Sequence, residues 1–313
     1  MGLTKEQIMQ IRVTYEWVFN LLNSVLIGQE NVRHIVASSI LCDKNSKILL
    51  TGNTASGKTT LSNYFANLFK SQRISVTSDL IPSDILEQLQ NKTSIRLLHI
   101  DEFNRGSGKV HTAFNELFEE HQISLGGVKY SFNDFYVFLT QNISDISGIF
   151  PVPQASYDKI DVNVYFEKLA EKYLRTLLFD GFEAAKPNQE QGEAFLNAIS
   201  ITTQAVKNFE MDEADKDVII QAINLLDSMT IHDELLFGSD RNNIRAHKFM
   251  LKLAKLAALV NGRGYLLATD IVDFVQPVYG HRIDQNIAKI GADEVVEQFN
   301  KVEGQILEIS RKK

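Results

Sequence analysis

Short apolar runs alternate with amphipathic stretches through the first half of the chain. The runs are too short for buried helices, and their length is typical of strands that a sheet buries on both faces. The apolar runs occupy residues 48–50, 95–100 and 135–139. Residues 73–77 are a further short strand pattern, and residues 160–164 alternate apolar and polar positions as a fifth strand does. Because helical patterns separate most of these runs, the order of elements predicts a five-stranded parallel sheet flanked by helices.

The remaining pattern is mostly helical. Apolar residues recur every three or four positions over residues 5–26, which predicts an N-terminal helix. Gly126 and Gly127 predict a two-residue hairpin, and residues 82–84 open a short polar connection. Beyond about residue 166 only helices are predicted, over 191–209, 213–229, 244–260 and within 284–309. We therefore predict an α/β domain over residues 1–165, followed by a smaller all-helical domain with a helical tail over 166–313.

The loop after the first strand carries a motif. Residues 52–59 read GNTASGKT and match the pattern G-x-x-x-x-G-K-[ST]. Average residue usage gives such a match by chance in about one of every hundred chains of this size. The glycines let successive N–H groups converge on a phosphate at the positive end of the next helix. We predict that Lys58 reaches the β- and γ-phosphates and Thr59 binds Mg²⁺, within a nucleotide-binding set of Asn53, Thr54, Ala55, Ser56, Gly57, Lys58, Thr59 and Thr60.

Two carboxylates follow the third strand. Asp101 ends the apolar run of residues 95–100, and Glu102 comes next. A carboxylate at the end of a strand can hold Mg²⁺, and the next one can polarise the water that attacks the γ-phosphate. Asn142 ends the following strand, where a polar amide could orient the same water. The alternative is a pair of solvated acids at a strand end.

Composition narrows the class of protein. The chain has 313 residues, of which 44% are hydrophobic, and its net charge of −7 argues against a nucleic-acid partner. Cys42 is the only cysteine, which excludes a disulfide or a Cys-based zinc site within the chain. No apolar run approaches the roughly eighteen residues of a membrane span, and the first residues lack the layout of a signal peptide. We therefore expect no membrane insertion and a cytoplasmic location.

Several segments, in order along the chain, resemble the MoxR-type AAA+ ATPases over residues 27–283. Besides the phosphate loop and the glycine hairpin, they are residues 27–30 (IGQE), 72–74 (QRI), 79–84 (DLIPSD), 101–105 (DEFNR), 140–142 (TQN), 151–155 (PVPQA), 262–265 (GRGY) and 281–283 (HRI). The resemblance implies a P-loop AAA+ module with a small helical lid. It further implies that ATP binds between neighbouring subunits of a ring, usually a homo-hexamer.

The resemblance also implies roles for individual residues. Asn142 resembles the sensor-1 residue and Glu102 the water-activating base, while Gly28 joins the nucleotide-binding set. Arg245, preferred over Arg241 by its spacing from residues 262–263, is similar to sensor 2, which contacts the γ-phosphate from the lid.

Three departures from the family pattern change this picture. Lys159 stands where the family has an arginine finger, and lysine keeps the charge but loses the rigid fork of a guanidinium. Arg105 is an alternative residue to act on a neighbour's site. The span between Ser83 and Ile95 is short, so a pore-facing element is in question. The helical tail either packs on the lid or binds a partner.

The favoured function is an ATP-driven ring that remodels a partner protein, by resemblance one that carries a von Willebrand A domain. Three alternatives stay open. Residues 101–106 (DEFNRG) also resemble the Walker B region of the McrB restriction GTPases, motor subunits of nucleic-acid-targeting complexes. The others are a small-molecule P-loop kinase and a nucleotide switch that hydrolyses slowly. The resemblance implies ATP rather than GTP, and the sequence has no Asn-Lys-x-Asp segment that would read guanine.

Overall fold

Five parallel strands form one sheet in the computed structural model, which describes residues 3–69, 71–90, 95–142, 151–232, 234–238, 243–283, 292–309 and 311. The strands are β1 (Lys47–Gly52), β2 (Ser71–Ser75), β3 (Leu97–Asp101), β6 (Tyr136–Asn142) and β7 (Val162–Phe166). Their order across the sheet is β2-β3-β6-β1-β7. The predicted five-stranded parallel sheet is confirmed.

Helices cover both faces of this sheet. Neighbouring residues of a strand point to opposite faces and therefore pack against different helices. Phe138 of β6 stacks on Phe65 of α3 (Lys58–Leu68), with ring centroids 5.0 Å apart. The residues on either side of Phe138 belong instead to a core with α4 (Pro82–Gln90) and α5 (Gly108–Glu120). The other helices before residue 180 are α1 (Lys5–Asn23), α2 (Glu30–Cys42), α6 (Gln154–Tyr157) and α7 (Glu171–Phe179).

The predicted glycine hairpin is present, but the prediction of a short polar connection after residue 82 is wrong. β4 (Gln122–Leu125) and β5 (Val128–Ser131) are antiparallel, and both connecting glycines have positive φ, as such a tight turn requires. Where the sequence predicted a short polar connection, α4 forms a helix of nine residues. Pro82 is favourable at its first position, and the helix buries three apolar side chains in the core, Ile85, Leu86 and Leu89.

Beyond residue 188, the regular elements of the described residues are helices apart from one pair of short strands. These elements are α8 (Gln189–Asn208), α9 (Glu213–Asp227), β8 (Thr230–Ile231), β9 (Glu234–Leu235), α10 (Ile244–Val260), α11 (Thr269–Val272), α12 (Val275–Tyr279) and α13 (Ala292–Leu307). The pair of two-residue strands corrects the prediction of helices alone, since runs this short carry no readable alternation. The tail helix α13 packs on α9 and α11 and buries Phe299, Val302 and Ile306.

Packing divides the chain into two compact units. Trp17–Ile199 form one, and the described residues of Met1–Glu16 and Ser200–Lys313 form the other. This division differs from the predicted boundary at residues 165 and 166. The reason is that the first part of α8 packs with the sheet helices, since the Phe195 ring contacts Trp17, Phe65 and Phe69.

Among the residues that the structure describes, no helix combines the length and the apolar character that crossing a membrane requires.

Candidate active site

The carboxyl ends of neighbouring strands bring the predicted site residues to one edge of the sheet. Gly52 ends β1 and is paired with Asn142 of β6 on one side and with Phe166 of β7 on the other. Asp101 ends β3, the next strand beyond β6. In open parallel sheets this edge is where ligands bind, so the phosphate loop and the predicted polar residues share the expected position.

The loop between β1 and α3 folds around the amino group of Lys58. Gly57 has a φ of 104°, a conformation that glycine alone adopts readily. Lys58 is only 8% exposed, and its Nζ donates to the carbonyl oxygens of Gly52 at 2.7 Å and Asn53 at 2.6 Å and to Ser56 Oγ at 3.2 Å. Burial lowers the pKa of Lys58. The ammonium group is thus held inside the loop, at the start of a helix whose positive end would favour an anion.

Asp101 is held as a carboxylate by two donors. The Thr140 hydroxyl donates to its Oδ1 and the Arg73 guanidinium to its Oδ2. Burial alone would raise the pKa of Asp101, but these hydrogen bonds and the nearby charges outweigh it and lower the pKa below its ordinary value. Asp101 also lies close enough to Lys58 to oppose the lowering of the lysine's pKa. An ionised carboxylate beside the phosphate loop is a suitable ligand for Mg²⁺.

Glu102 adopts a strained backbone conformation directly after this carboxylate. Its φ of 56° lies in the left-handed region, which costs a residue other than glycine about 1–2 kcal/mol. The Glu102 N–H donates to Thr140 Oγ1 at 3.1 Å, so one hydroxyl contacts both acidic residues. Its side chain is 43% exposed, and Oε2 lies 3.2 Å from Arg105 Nε at the end of a 3-10 turn, Phe103–Arg105. Strain of this kind is concentrated at functional sites.

Asn142 connects the end of β6 to the phosphate loop. Its Nδ2 donates to Thr54 Oγ1 at 2.8 Å, and its backbone carbonyl accepts from Asn104 Nδ2 at 3.2 Å. Asn104 is 8% exposed, so the carbonyl is held from within the protein. The amide therefore lies beside the loop that would hold the phosphates.

Two family models match the chain. Residues 47–162 match the ATPase family associated with various cellular activities (AAA), and residues 241–299 match an AAA lid domain. Chaperone MoxR1 of Mycobacterium tuberculosis is 24% identical over 282 residues, which cover 83% of this chain and 72% of the relative. Protein MoxR of Paracoccus denitrificans is 23% identical over 295 residues, covering 84% and 86%. The chain belongs to the MoxR family of AAA+ ATPases.

A solved structure agrees with the fold of a MoxR-type ATPase. A candidate ATPase from Cytophaga hutchinsonii superposes with a TM-score of 0.72 at 21% identity, and the match covers 98% of each chain. At this identity the likeness concerns the fold alone. The expected P-loop AAA+ fold, an α/β module followed by a lid, is confirmed.

The other residues assigned from the MoxR resemblance lie in different places. Lys159 precedes β7, and its Nζ contacts the Glu119 carboxylate at the end of α5. Arg245 lies in the first turn of α10, in the other compact unit, and its role stays a prediction. Gly28 precedes α2 and lies against the ring of Tyr173. Thr59 and Thr60 follow Lys58 in the first turn of α3 and are exposed.

Two residues that hold Asp101 in this MoxR-type chain were not assigned to the site from the sequence. Arg73 lies on β2 and Thr140 on β6, the strands on either side of β3. Each was noticed only as part of a family segment. Their alignment with Asp101 depends on the register of three strands, which a single sequence does not supply.

Asn142→Ala is expected to slow ATP hydrolysis while ATP affinity changes little. A water-orienting amide contributes mostly in the transition state, and a hydrogen bond to a charged group is worth about 1.5–3 kcal/mol. Turnover should therefore fall on the order of 10- to 100-fold at nearly constant KM. Steady-state kinetics with a parallel measurement of ATP binding checks this. A loss confined to affinity would contradict the role.

Proposed function

We propose that this chain binds and hydrolyses ATP as a subunit of a ring and uses the reaction to remodel a partner protein. The observation that carries the proposal is the meeting of Lys58, Asp101, Glu102 and Asn142 at one edge of the sheet. These are the groups that phosphoryl transfer to water requires: a cation and N–H cradle for the phosphates, a metal carboxylate, a base and a water-positioning amide.

The residues present fit ATP and Mg²⁺. The tight turn at Gly57 and the buried ammonium of Lys58 are suited to a polyphosphate, which they would hold by charge and by the helix N-terminus. Asp101, kept ionised by Thr140 and Arg73, and the Thr59 hydroxyl would hold Mg²⁺. The metal would neutralise charge on the phosphates. Glu102 follows Asp101 directly, so its carboxylate can take the proton of an attacking water.

Assembly and a protein partner are proposed from the family. The name of the Mycobacterium tuberculosis relative describes that protein as a chaperone, which supports action on a partner protein here. A homo-hexamer and a partner with a von Willebrand A domain are the forms that the resemblance implies. Both proposals concern contacts with other chains, so they require measurement on the assembled protein.

The test is the ATPase rate per chain as a function of protein concentration, with molecular mass measured by light scattering on the same samples. We expect the rate to rise as the chain assembles, because a neighbouring subunit would complete an active site that lies between subunits. Added DNA should leave the rate unchanged, whereas the motor of a nucleic-acid-targeting complex would be stimulated. A rate that is constant while the mass rises would contradict hydrolysis between subunits.

A slowly hydrolysing nucleotide switch is the second candidate, and one observation favours it. The two residues proposed to act on a neighbour's ATP are both engaged within their own chain, Lys159 with Glu119 and Arg105 with Glu102. A group that must first leave an ion pair contributes less to a neighbouring site than a free one. Turnover of the assembled protein that stays low at all concentrations would support this candidate.

Substitutions at Lys159 should change turnover only in the oligomer. Lys159→Arg is expected to raise it, because a guanidinium binds phosphate oxygens in a bidentate manner, and Lys159→Ala should lower it. ATPase rate against protein concentration for the three proteins is the measurement. If Lys159 is only a surface lysine, the three curves superimpose and Arg105 remains the candidate for the finger.

Glu119→Gln is the matched control, because it weakens the intrachain pair and keeps the lysine. If Lys159 acts on the neighbour, Glu119→Gln should leave turnover unchanged or raise it. If Lys159 serves only to brace α5, Glu119→Gln and Lys159→Ala should have the same effect.

A further inference from the structure

If the proposed function holds, the strand order determines on which side of the phosphate loop the base of a bound nucleotide lies. Gly52, at the start of the phosphate loop, lies between Asn142 of β6 and Phe166 of β7. The groups that act on the γ-phosphate, Asp101, Glu102 and Asn142, all lie on the β6 and β3 side. The sugar and base must therefore leave the loop on the opposite side, toward the end of β7.

The surface on the β7 side is built from two segments that contact the loop. A side chain added at Gly57 would meet Leu26 Cδ2 at 3.1 Å and Phe166 Cε1 at 3.6 Å, so both residues adjoin the loop. Hydrogen bonds hold the segments near them: Arg33 NH1 donates to the Leu26 carbonyl at 2.8 Å, and Gln29 Nε2 donates to the Glu167 carbonyl at 2.9 Å. The surface beside the loop on the β7 side is therefore held in place by hydrogen bonds within the unit Trp17–Ile199.

Tyr173 is a partly exposed aromatic residue on this surface, whereas Phe166 is buried, and the Tyr173 ring is held in place. A Cβ at Gly28 would lie 2.2 Å from Tyr173 Cδ2, so the ring rests directly on the glycine backbone, which has a φ of 66°. The Tyr173 hydroxyl donates to Glu30 Oε1 at 2.7 Å. The ring stays partly exposed, and the ammonium of the exposed Lys172 lies 4.5 Å from its centroid.

We propose that Tyr173 is the base-contacting residue of the nucleotide site and that the purine of ATP stacks on its ring. An aromatic ring held at one edge by a hydrogen bond and on one side by backbone contact is a preorganised stacking platform, and every nucleobase has a face that suits it. The incoming base takes the place of the Lys172 ammonium, which an exposed lysine side chain readily vacates. This inference rests on the proposed function, because it assigns the far end of the same ligand.

A purely structural role for Tyr173 makes a different prediction. On that account the ring only attaches α7 to Gly28, since α7 has no buried residue, and its removal would disturb the site without regard to the base. A phosphate ligand that lacks a base separates the two roles, because it uses the loop but cannot stack.

The experiment measures dissociation constants of ATP and of inorganic triphosphate, both with Mg²⁺, for wild type, Tyr173→Ala and Tyr173→Phe. Tyr173→Ala should weaken ATP binding by about 5- to 150-fold, the range of base–aromatic stacking, and leave triphosphate binding unchanged. Tyr173→Phe keeps the ring and should bind both ligands like wild type. Phe179→Ala, at a position of the same helix that is 77% exposed, is the control and should change neither.

Gly28→Ala gives an independent route to the same result. Its methyl group must displace the ring, so the same selective loss of ATP affinity is expected. The inference is overturned if Tyr173→Ala leaves ATP affinity unchanged, if it tightens ATP because the ring blocks the base, or if it weakens triphosphate equally. A wild-type chain that binds neither ligand overturns the proposed function together with this inference, whereas the three preceding outcomes leave the proposed function intact.

Discussion

Lys58→Ala should abolish measurable nucleotide binding. The ammonium of Lys58 is buried in the phosphate loop and is the cation that the loop itself offers to the β- and γ-phosphates. Its removal also deletes three hydrogen bonds that hold the loop in shape. Charge-assisted hydrogen bonds contribute about twice as much as neutral ones, so the loss combines the charge with the preformed geometry. Calorimetric titration with ATP and Mg²⁺ is the measurement.

Two controls separate the charge from the shape of the loop. Lys58→Met keeps the length of the side chain without its charge and should bind as poorly as Lys58→Ala. Lys47→Ala removes a mostly buried lysine at the other end of β1 and should leave ATP affinity intact in folded protein. Wild-type affinity in Lys58→Ala would remove the nucleotide site from this loop.

Glu102→Gln should retain ATP binding and lose at least about 100-fold in turnover, the scale on which general bases contribute. An amide has the shape of the carboxylate but cannot accept the proton of the attacking water. Because binding is preserved and hydrolysis is not, the variant should accumulate as an ATP-bound oligomer. Single-turnover kinetics and the nucleotide content of the purified oligomer measure both effects.

Glu120→Gln, an exposed glutamate at the end of α5, is the matched control and should hydrolyse at the wild-type rate. Unchanged turnover in Glu102→Gln would mean that the base lies elsewhere. The same variant is the best means of finding the partner, since a protein retained by the ATP-bound state should co-purify with Glu102→Gln and not with Lys58→Ala.

The sequence predicts the sheet and the phosphate loop well because both are local patterns. Five strand-like segments and a glycine-rich motif of eight residues are readable without knowledge of neighbours in space. The placement of Asn142 at the strand end where Asp101 also lies follows from local information too, since parallel strands present their carboxyl ends at one edge.

Contacts between distant segments are what the sequence could not supply. Arg73 reaches Asp101 across 28 positions, and Tyr173 reaches Glu30 across 143. Gly28 looks like a helix breaker in the sequence, and the structure shows two reasons why a side chain is disfavoured there, its positive φ and the Tyr173 ring packed on it. Similarly, Lys159 occupies the position expected of a finger, but its pairing with Glu119 depends on how α5 packs.

The hydroxyl of Thr140 makes the positions of two site residues depend on the register of the sheet. It donates to Asp101 and accepts from the N–H of Glu102, so the metal carboxylate and the base take their places from the alignment of β6 with β3. The geometry of the proposed catalytic residues therefore depends on how β3 and β6 pair in the core. Shifting β6 by one residue would turn Thr140 to the opposite face and release both acids together, so core substitutions between these strands should impair activity before they impair folding.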